Sequence, residues 1–191
     1  MTKSPAQEVE IKFTVNDLKA LARKLRAAGF KIKTKRTHEM NVLYDFPGSP
    51  LRQRGEVLRI RKYGKQWTLT HKSKGETTRH KSRTETETEL SDGQKLETIF
   101  NALGLAPSFR YEKFRTEWTD SKGAVVVDET PIGNIAEIEG SATWIDKTAK
   151  KLGVSAADYS TKSYIELFFE WKHKAQSDAN EMTWEAIGGT R

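Results

Sequence analysis

The chain of 191 residues contains no cysteine, which excludes a disulfide framework, a thiolate metal site and a cysteine nucleophile. It also has no apolar run long enough to span a bilayer, and Met1-Thr2-Lys3-Ser4-Pro5 lacks the apolar stretch of a secretory signal. A soluble, cytoplasmic protein with no membrane partner is the expectation. The four histidines, His38, His71, His80 and His173, show no metal-ligand spacing, so surface or loop roles are expected for them.

What the chain has in abundance is charge. The formal net charge is +7 and the pI about 9.5, a balance that favours an anionic partner. Yet charged residues of both signs make up 31% of the chain. A nucleic-acid-binding patch has no need of so many carboxylates among its basic residues. The mixture points to an anion held together with a cation.

The length fits one domain with a tail: residues 1–171 as the domain and 172–191, polar and weakly patterned, as the tail. Within the domain, Glu8-Val9-Glu10-Ile11-Lys12 alternates charged and apolar side chains, as a β-strand with two unlike faces does. The same alternation recurs at Arg59/Arg61, Arg83/Glu85/Glu87, Lys113/Arg115 and Glu137/Glu139. Strands are predicted over 8–15, 40–45, 57–63, 66–72, 82–90, 109–118, 124–129 and 135–139. The polar stretch 73–81 reads as a mobile loop. Helices are predicted between them. The first is capped by Asn16 or Thr14 and buries Leu18, Leu21 and Leu25. The second is capped by Ser91, with Leu96, Ile99, Phe100 and Leu103 inward. A third runs from Ser141 to Gly153, and a short fourth covers 160–171.

If these strands close into a barrel, the amphipathic helices cover the apolar face outside and the charged face lines a tunnel. Its basic side chains are then Lys12, Arg59, Arg61, Lys72, Arg83, Lys113 and Arg115, and its acidic ones Glu8, Glu10, Glu85, Glu87, Asp128, Glu137 and Glu139. So many ions must pair, stay hydrated or bind a ligand. Guanidinium and ammonium groups match phosphate oxygens, and clustered carboxylates are hard ligands suited to Mg²⁺ or Mn²⁺. A metal bridging carboxylates to a polyphosphate reconciles both signs and points to phosphoryl or nucleotidyl transfer.

The Glu8-x-Glu10-x-Lys12 start resembles the CYTH, or triphosphate tunnel metalloenzyme, superfamily. So does the ordered series Leu43-Tyr44-Asp45, Leu58-Arg59-Ile60-Arg61, Thr70-His71-Lys72, Arg83-x-Glu85-x-Glu87, Lys113-x-Arg115, Asp128-Glu129, Glu137-Ile138-Glu139 and Ser163-Tyr164. Asn41 stands where Asp is frequent, and Ile135 where Phe is common. The resemblance implies an α+β fold, a closed eight-stranded antiparallel β-barrel with helices packed outside. It implies metal-binding roles for Glu8, Glu10, Asp128, Glu137 and Glu139. It implies triphosphate-binding roles for Lys12, Arg59, Arg61, Lys72, Arg83, Lys113 and Arg115. Lys12, Lys72, Glu85 and Glu87 are the catalytic candidates. The implied activity is hydrolysis of tripolyphosphate, a nucleoside triphosphate such as ATP, or thiamine triphosphate, or alternatively the class IV adenylyl cyclase reaction. A non-catalytic polyphosphate- or nucleic-acid-binding module is the rival from another class, and the carboxylates of the tunnel argue against it. Trp171 and Trp184 offer either a homodimer contact or cover for the tail.

Overall fold

The computed structural model describes residues 6–188. The start of the expected lead-in (1–5) and the last three residues of the expected tail (189–191) lie outside them. In chain order the elements are β1 (Ala6–Thr14), α1 (Leu18–Ala27), β2 (Lys31–Asp45), α2 (Pro50–Gln53), β3 (Val57–Tyr63), β4 (Gln66–Lys72), β5 (Glu76–Thr77), β6 (Lys81–Leu90) and α3 (Gly93–Ala102). They continue with β7 (Ala106–Thr119), β8 (Ala124–Thr130), β9 (Gly133–Glu139), α4 (Ala142–Leu152), α5 (Tyr164–Ala175) and α6 (Trp184–Ile187).

The strands pair in the order β1-β9-β8-β7-β2-β3-β4-β6, and β6 pairs back onto β1. Every pairing is antiparallel, so the sheet is the expected closed eight-stranded barrel, with β5 as an extra strand outside it. Alternation sends one face of each strand into the lumen and the other onto the helices. On β1, Ile11 and Phe13 point outward into a core shared with Leu21 and Leu25 of α1 and Ile145, Ala149 and Leu152 of α4. A second outer core joins Val42, Tyr44 and Ile60 to Phe100 and Leu105 beside α3. At its start α3 approaches β4 so closely that a Cβ on Gly93 would stand 2.1 Å from the Trp67 ring.

Several helix ends differ from expectation by a residue, because adjacent side chains compete for the same cap. Asp17 accepts from the Ala20 amide at 2.9 Å, in place of Asn16 or Thr14. Asp92 accepts from the Lys95 amide at 3.0 Å, in place of Ser91. Ile99 and Leu103, expected inward, are exposed. Helix α3 packs along Gly93, Leu96 and Phe100. Past it, Gly104 turns with φ +87°, and the Leu105 amide bonds back to the Phe100 carbonyl at 2.9 Å. This Schellman-type end buries Leu105 instead of Leu103. The stretch 73–81 is not a plain loop: β5 pairs with β6, and His80 and Arg79 both reach Asp146 on α4.

Two late segments complete the barrel wall. Beyond Lys81, β6 leaves the edge of β1, and Ser160 takes its place, exchanging backbone hydrogen bonds with Lys12 at 2.7 and 2.8 Å. This delivers α5, expected at 160–171 but starting at Tyr164 behind a Ser163–Glu166 capping box, to one end of the lumen. There Tyr164 and Phe168 pack on the inward-facing Leu43, Phe109, Tyr111 and Ile135 and close that end. The stretch read as a polar tail starts with the last turn of α5. Its Met182 is fully buried and exchanges backbone bonds with Arg110 and Glu112 on an edge of β7 that β8 does not reach. The Trp184 amide donates to Glu112, and its ring packs on His38 and Phe114.

Replacing the fully buried Met182 with alanine should cost about 2–5 kcal/mol, because a large core side chain is lost next to a strand edge. Urea unfolding measures this. An unchanged midpoint would show that 176–188 does not stabilise the barrel.

Candidate active site

The inner face of the barrel is built from cross-strand pairs of opposite charge. Lys12 on β1 stands directly opposite Glu137 on β9, and Glu8 opposite Arg83 on β6. Lys72 on β4 faces Glu85 on β6, Arg115 on β7 faces Asp128 on β8, and Lys113 on β7 faces Glu39 on β2. These partners meet. Lys72 Nζ lies 2.8 Å from Glu8 and 2.7 Å from Glu85. Arg115 lies 2.6 Å from Asp128 and 2.8 Å from Glu137, and Lys113 lies 2.9 Å from Asp128.

They surround a cavity of about 310 Å³ lined by Glu8, Glu10, Lys12, Arg59, Arg61, Lys72, Arg83, Glu85, Glu87, Lys113, Arg115, Glu137 and Glu139. Thus all the expected basic residues reach one cavity. Arg59 and Arg61 form one wall, donating to Thr70 and Thr68 and facing Glu87. Asp128 is not among the carboxylates that line this cavity, and it shares the Arg115 guanidinium with Glu137. Fully buried, its carboxylate accepts from Lys113, from Nε and Nη2 along one edge of the Arg115 guanidinium and from the Tyr164 hydroxyl. Glu137 lines the cavity but is engaged by Lys12 and Arg115.

One cross-strand pair breaks the pattern: Glu10 and Glu139 stand directly opposite each other, two like charges where every pair above has two signs. Glu8 joins them, and one carboxylate oxygen from each of the three lies within 4.8 Å of the others. The conflict shows in Glu139. Burial, then the charge of Glu137, push its carboxyl up to about 8 against the pull of Arg115, with Glu10 and Glu8 adding to the rise. A divalent cation relieves this repulsion, and carboxylate oxygens are the donors that Mg²⁺ and Mn²⁺ take. The three residues therefore fit a metal.

Charge elsewhere is fixed. Burial disfavours the Lys12 ammonium, but Glu10 and Glu137 outweigh it and raise its pKa, so Lys12 stays a cation. Glu39 is buried too, yet Lys113 and Arg115, then Arg61 and Arg59, hold its carboxyl well below the usual range. Glu39 was not singled out as a site residue, although its position in the alternation Glu39-x-Asn41-x-Leu43 carried the signal. The strand expected from Met40 in fact starts at Lys31. Tyr111 and Tyr164 were likewise missed as side chains of the cavity wall.

The sequence profile of the CYTH domain matches residues 6–164. The chain belongs to the CYTH family. Membership implies a divalent metal, and the carboxylate trio is a site that fits one. A Methanocaldococcus jannaschii protein named as a proposed adenylate cyclase is 27% identical over 171 residues, covering 84% of this chain and 97% of that one. A Vibrio parahaemolyticus structure, also named as a proposed adenylate cyclase, superposes with TM-score 0.75 at 19% identity, covering 87% of this chain and 99% of the other. A Hippeastrum structure, described as a proposed adenylyl cyclase with dominant triphosphatase activity, gives TM-score 0.64 at 18% identity, with 85% and 95% covered. At these identities the two structures establish the shared CYTH fold.

The Glu139 proton makes a pH prediction. A carboxyl with a raised folded-state pKa contributes stability below its ordinary value of 4.5 that is lost as pH rises through about 8. Metal-free protein should therefore lose stability across that window, and Glu139→Gln should flatten the loss. Below about pH 8, metal affinity should climb with pH by up to about tenfold per unit as the proton is displaced. Calorimetric Mn²⁺ titrations at several pH values check this, and a pH-independent affinity would reject Glu139 as a ligand.

Proposed function

We propose that this CYTH protein is a cytoplasmic, Mg²⁺- or Mn²⁺-dependent hydrolase that cleaves a phosphoanhydride bond of a linear triphosphate inside the tunnel. The observation that carries the reading is the sorting of charge within one cavity: a like-charged carboxylate trio faces a wall of lysines and arginines. A triphosphate, whether tripolyphosphate, ATP or thiamine triphosphate, is a linear polyanion that can touch both at once.

Arg59 and Arg61 present guanidinium groups to phosphate oxygens, and Lys12, Lys72, Arg83, Lys113 and Arg115 supply the remaining positive charge. Glu85 and Glu87 aim Lys72, Arg59 and Arg61 through the contacts described above. Glu8, Glu10 and Glu139 would hold the metal, which supplies Lewis acidity toward phosphate oxygens and the attacking water. The water oxygen bonds to phosphorus, and the bridging P–O bond breaks with its electron pair on the departing phosphate. The proton leaves to that phosphate or to solvent. Phosphoryl transfer passes through a loose transition state and depends mainly on positioning and charge.

The names of the relatives raise the cyclase reaction as a second reading. There the ribose 3′-hydroxyl attacks and pyrophosphate leaves, so a base must take the hydroxyl proton. Lys12, a candidate for that base, is held as an ammonium by Glu10 and Glu137, which favours water as the nucleophile.

Phosphate release from tripolyphosphate, ATP and thiamine triphosphate, measured with Mg²⁺ and with Mn²⁺ alongside cyclic AMP, tests the proposal. Turnover that chelator abolishes is expected. Glu10→Gln and Glu139→Gln should each lower it by about 100-fold. Cyclic AMP as the main product would replace hydrolysis with cyclisation. Tight, chelator-insensitive nucleic-acid binding without any turnover would reject an enzyme altogether.

A further inference from the structure

The charges expected on the lumenal face balance, seven basic side chains against seven acidic ones. The surplus of the chain lies elsewhere. Helix α1 carries Lys19, Arg23, Lys24 and Arg26 with no carboxylate, and α4 carries Lys147, Lys150 and Lys151 with Asp146. Seven basic groups against one acidic leave an excess of six, nearly all of the net +7. The two helices pack together on the outside of β1 through Leu21, Leu25, Ile145, Ala149 and Leu152, so their outward faces look away from the lumen. All seven basic residues are exposed, and among the described residues none has a carboxylate in ion-pair reach. The nearby carboxylates are occupied: Asp17 caps α1, and Asp146 is held by Arg79, His80 and the Tyr159 hydroxyl. Lys24 reaches across to the Leu152 carbonyl at 2.7 Å, which joins the two charged faces into one.

We propose that this outer face of α1 and α4 binds duplex DNA through its phosphate backbone, without reading sequence. The carboxylates of the tunnel argue against nucleic acid in the lumen, and on this face carboxylates are all but missing. What else the face lacks selects the partner. Beyond alanine, no exposed side chain of either helix is apolar, and none is aromatic. A protein partner is gripped by buried aromatic anchors, a bilayer by apolar groups inserted in support of charge, and a single strand by rings that stack on its bases. A duplex needs none of these, because its bases are stacked inside and its surface carries two rows of phosphates. Uncharged hydrogen-bonding groups are scarce as well. Thr143 is the one exposed hydroxyl or amide side chain on the two helices, so base edges and ribose 2′-hydroxyls go unread. This favours DNA over an RNA duplex and leaves no means of sequence preference. Two helices side by side, each about 10–12 Å across, are too broad for a major groove about 12 Å wide. They lie across the backbone instead.

The test follows fluorescence anisotropy of a labelled mixed-sequence DNA duplex over a range of salt concentrations. It compares the wild type with the variant Lys19→Gln/Arg23→Gln/Lys147→Gln/Lys151→Gln. The wild type should bind with a Kd of about 1–100 μM near physiological salt, and log K should fall against log salt with a slope of about −4 to −6. In the variant, affinity should drop by about tenfold or more, and the slope should shrink by about 3 to 4. The single variants Arg23→Gln and Lys147→Gln should each reduce it by about one. A duplex of unrelated sequence should bind equally well. Lys24, which bonds Leu152, and Arg26, which covers the Trp118 ring, are left in place, so the urea midpoint and triphosphate turnover of the variant should match the wild type. Affinity and slope unchanged by the substitutions would overturn the inference, as would failure to bind the duplex at low salt. So would tighter binding to single-stranded DNA, to duplex RNA, or to vesicles of equal parts phosphatidylcholine and phosphatidylglycerol. None of these results touches the hydrolase reading, and loss of that reading leaves this one standing.

Discussion

The structure depends on matching charge inside a closed barrel. An ion moved from water to such an interior costs several kcal/mol unless a partner meets it. Here the partner is usually the residue directly across the next strand: Arg115 for Asp128, Lys72 for Glu85, Lys113 for Glu39. A slip of one residue in any pairing would turn the charges onto the helices and the outer core into the lumen. The ionic face therefore helps to specify register and closure, and the apolar face supplies the burial that holds the helices on.

Against that background the incomplete places acquire meaning. Around Asp128 the matching is saturated, with Lys113, Arg115 and Tyr164 all donating, and the result is a rigid support for the basic wall. Around Glu139 it is incomplete: Glu10 opposite it is met by Lys12 at 2.6 Å, while Glu139 has no ion-pair partner among the described residues, and burial and Glu137 raise its pKa. A fold that pairs nearly every lumenal charge yet sets Glu10 opposite Glu139 leaves there a pair of carboxylates that a cation would neutralise.

Much of this was legible in the chain. Alternation at Glu8–Lys12, Arg59/Arg61 and Glu137/Glu139 announced both the strands and which side chains would meet, because a period of two leaves little freedom once one face is apolar. The pairing of individual ions was not legible, since it depends on strand order and stagger. Asp128 illustrates this: its residue type suits a metal, but its register puts it opposite Arg115 and beneath Tyr164. Nor did pattern reveal the docking of Met182, a single apolar residue in a polar stretch with no periodicity to detect. Helix ends were displaced where Asp and Ser or Asn stand side by side, for either can cap.

The two patches on the barrel wall bear on how the protein is made. The edge of β1 at Lys12 waits for Ser160, and the edge of β7 at Arg110–Glu112 waits for Met182. Strands β1 and β7 thus carry unpaired backbone groups until residues 160 and 182, C-terminal to both, are in place, and open edges of this kind invite pairing with other chains. The lumenal charges that serve the site offer interim protection. A half-built wall whose inner face is lined with lysine, arginine and glutamate is a poor template for aggregation, so the chemistry of the tunnel also guards its assembly.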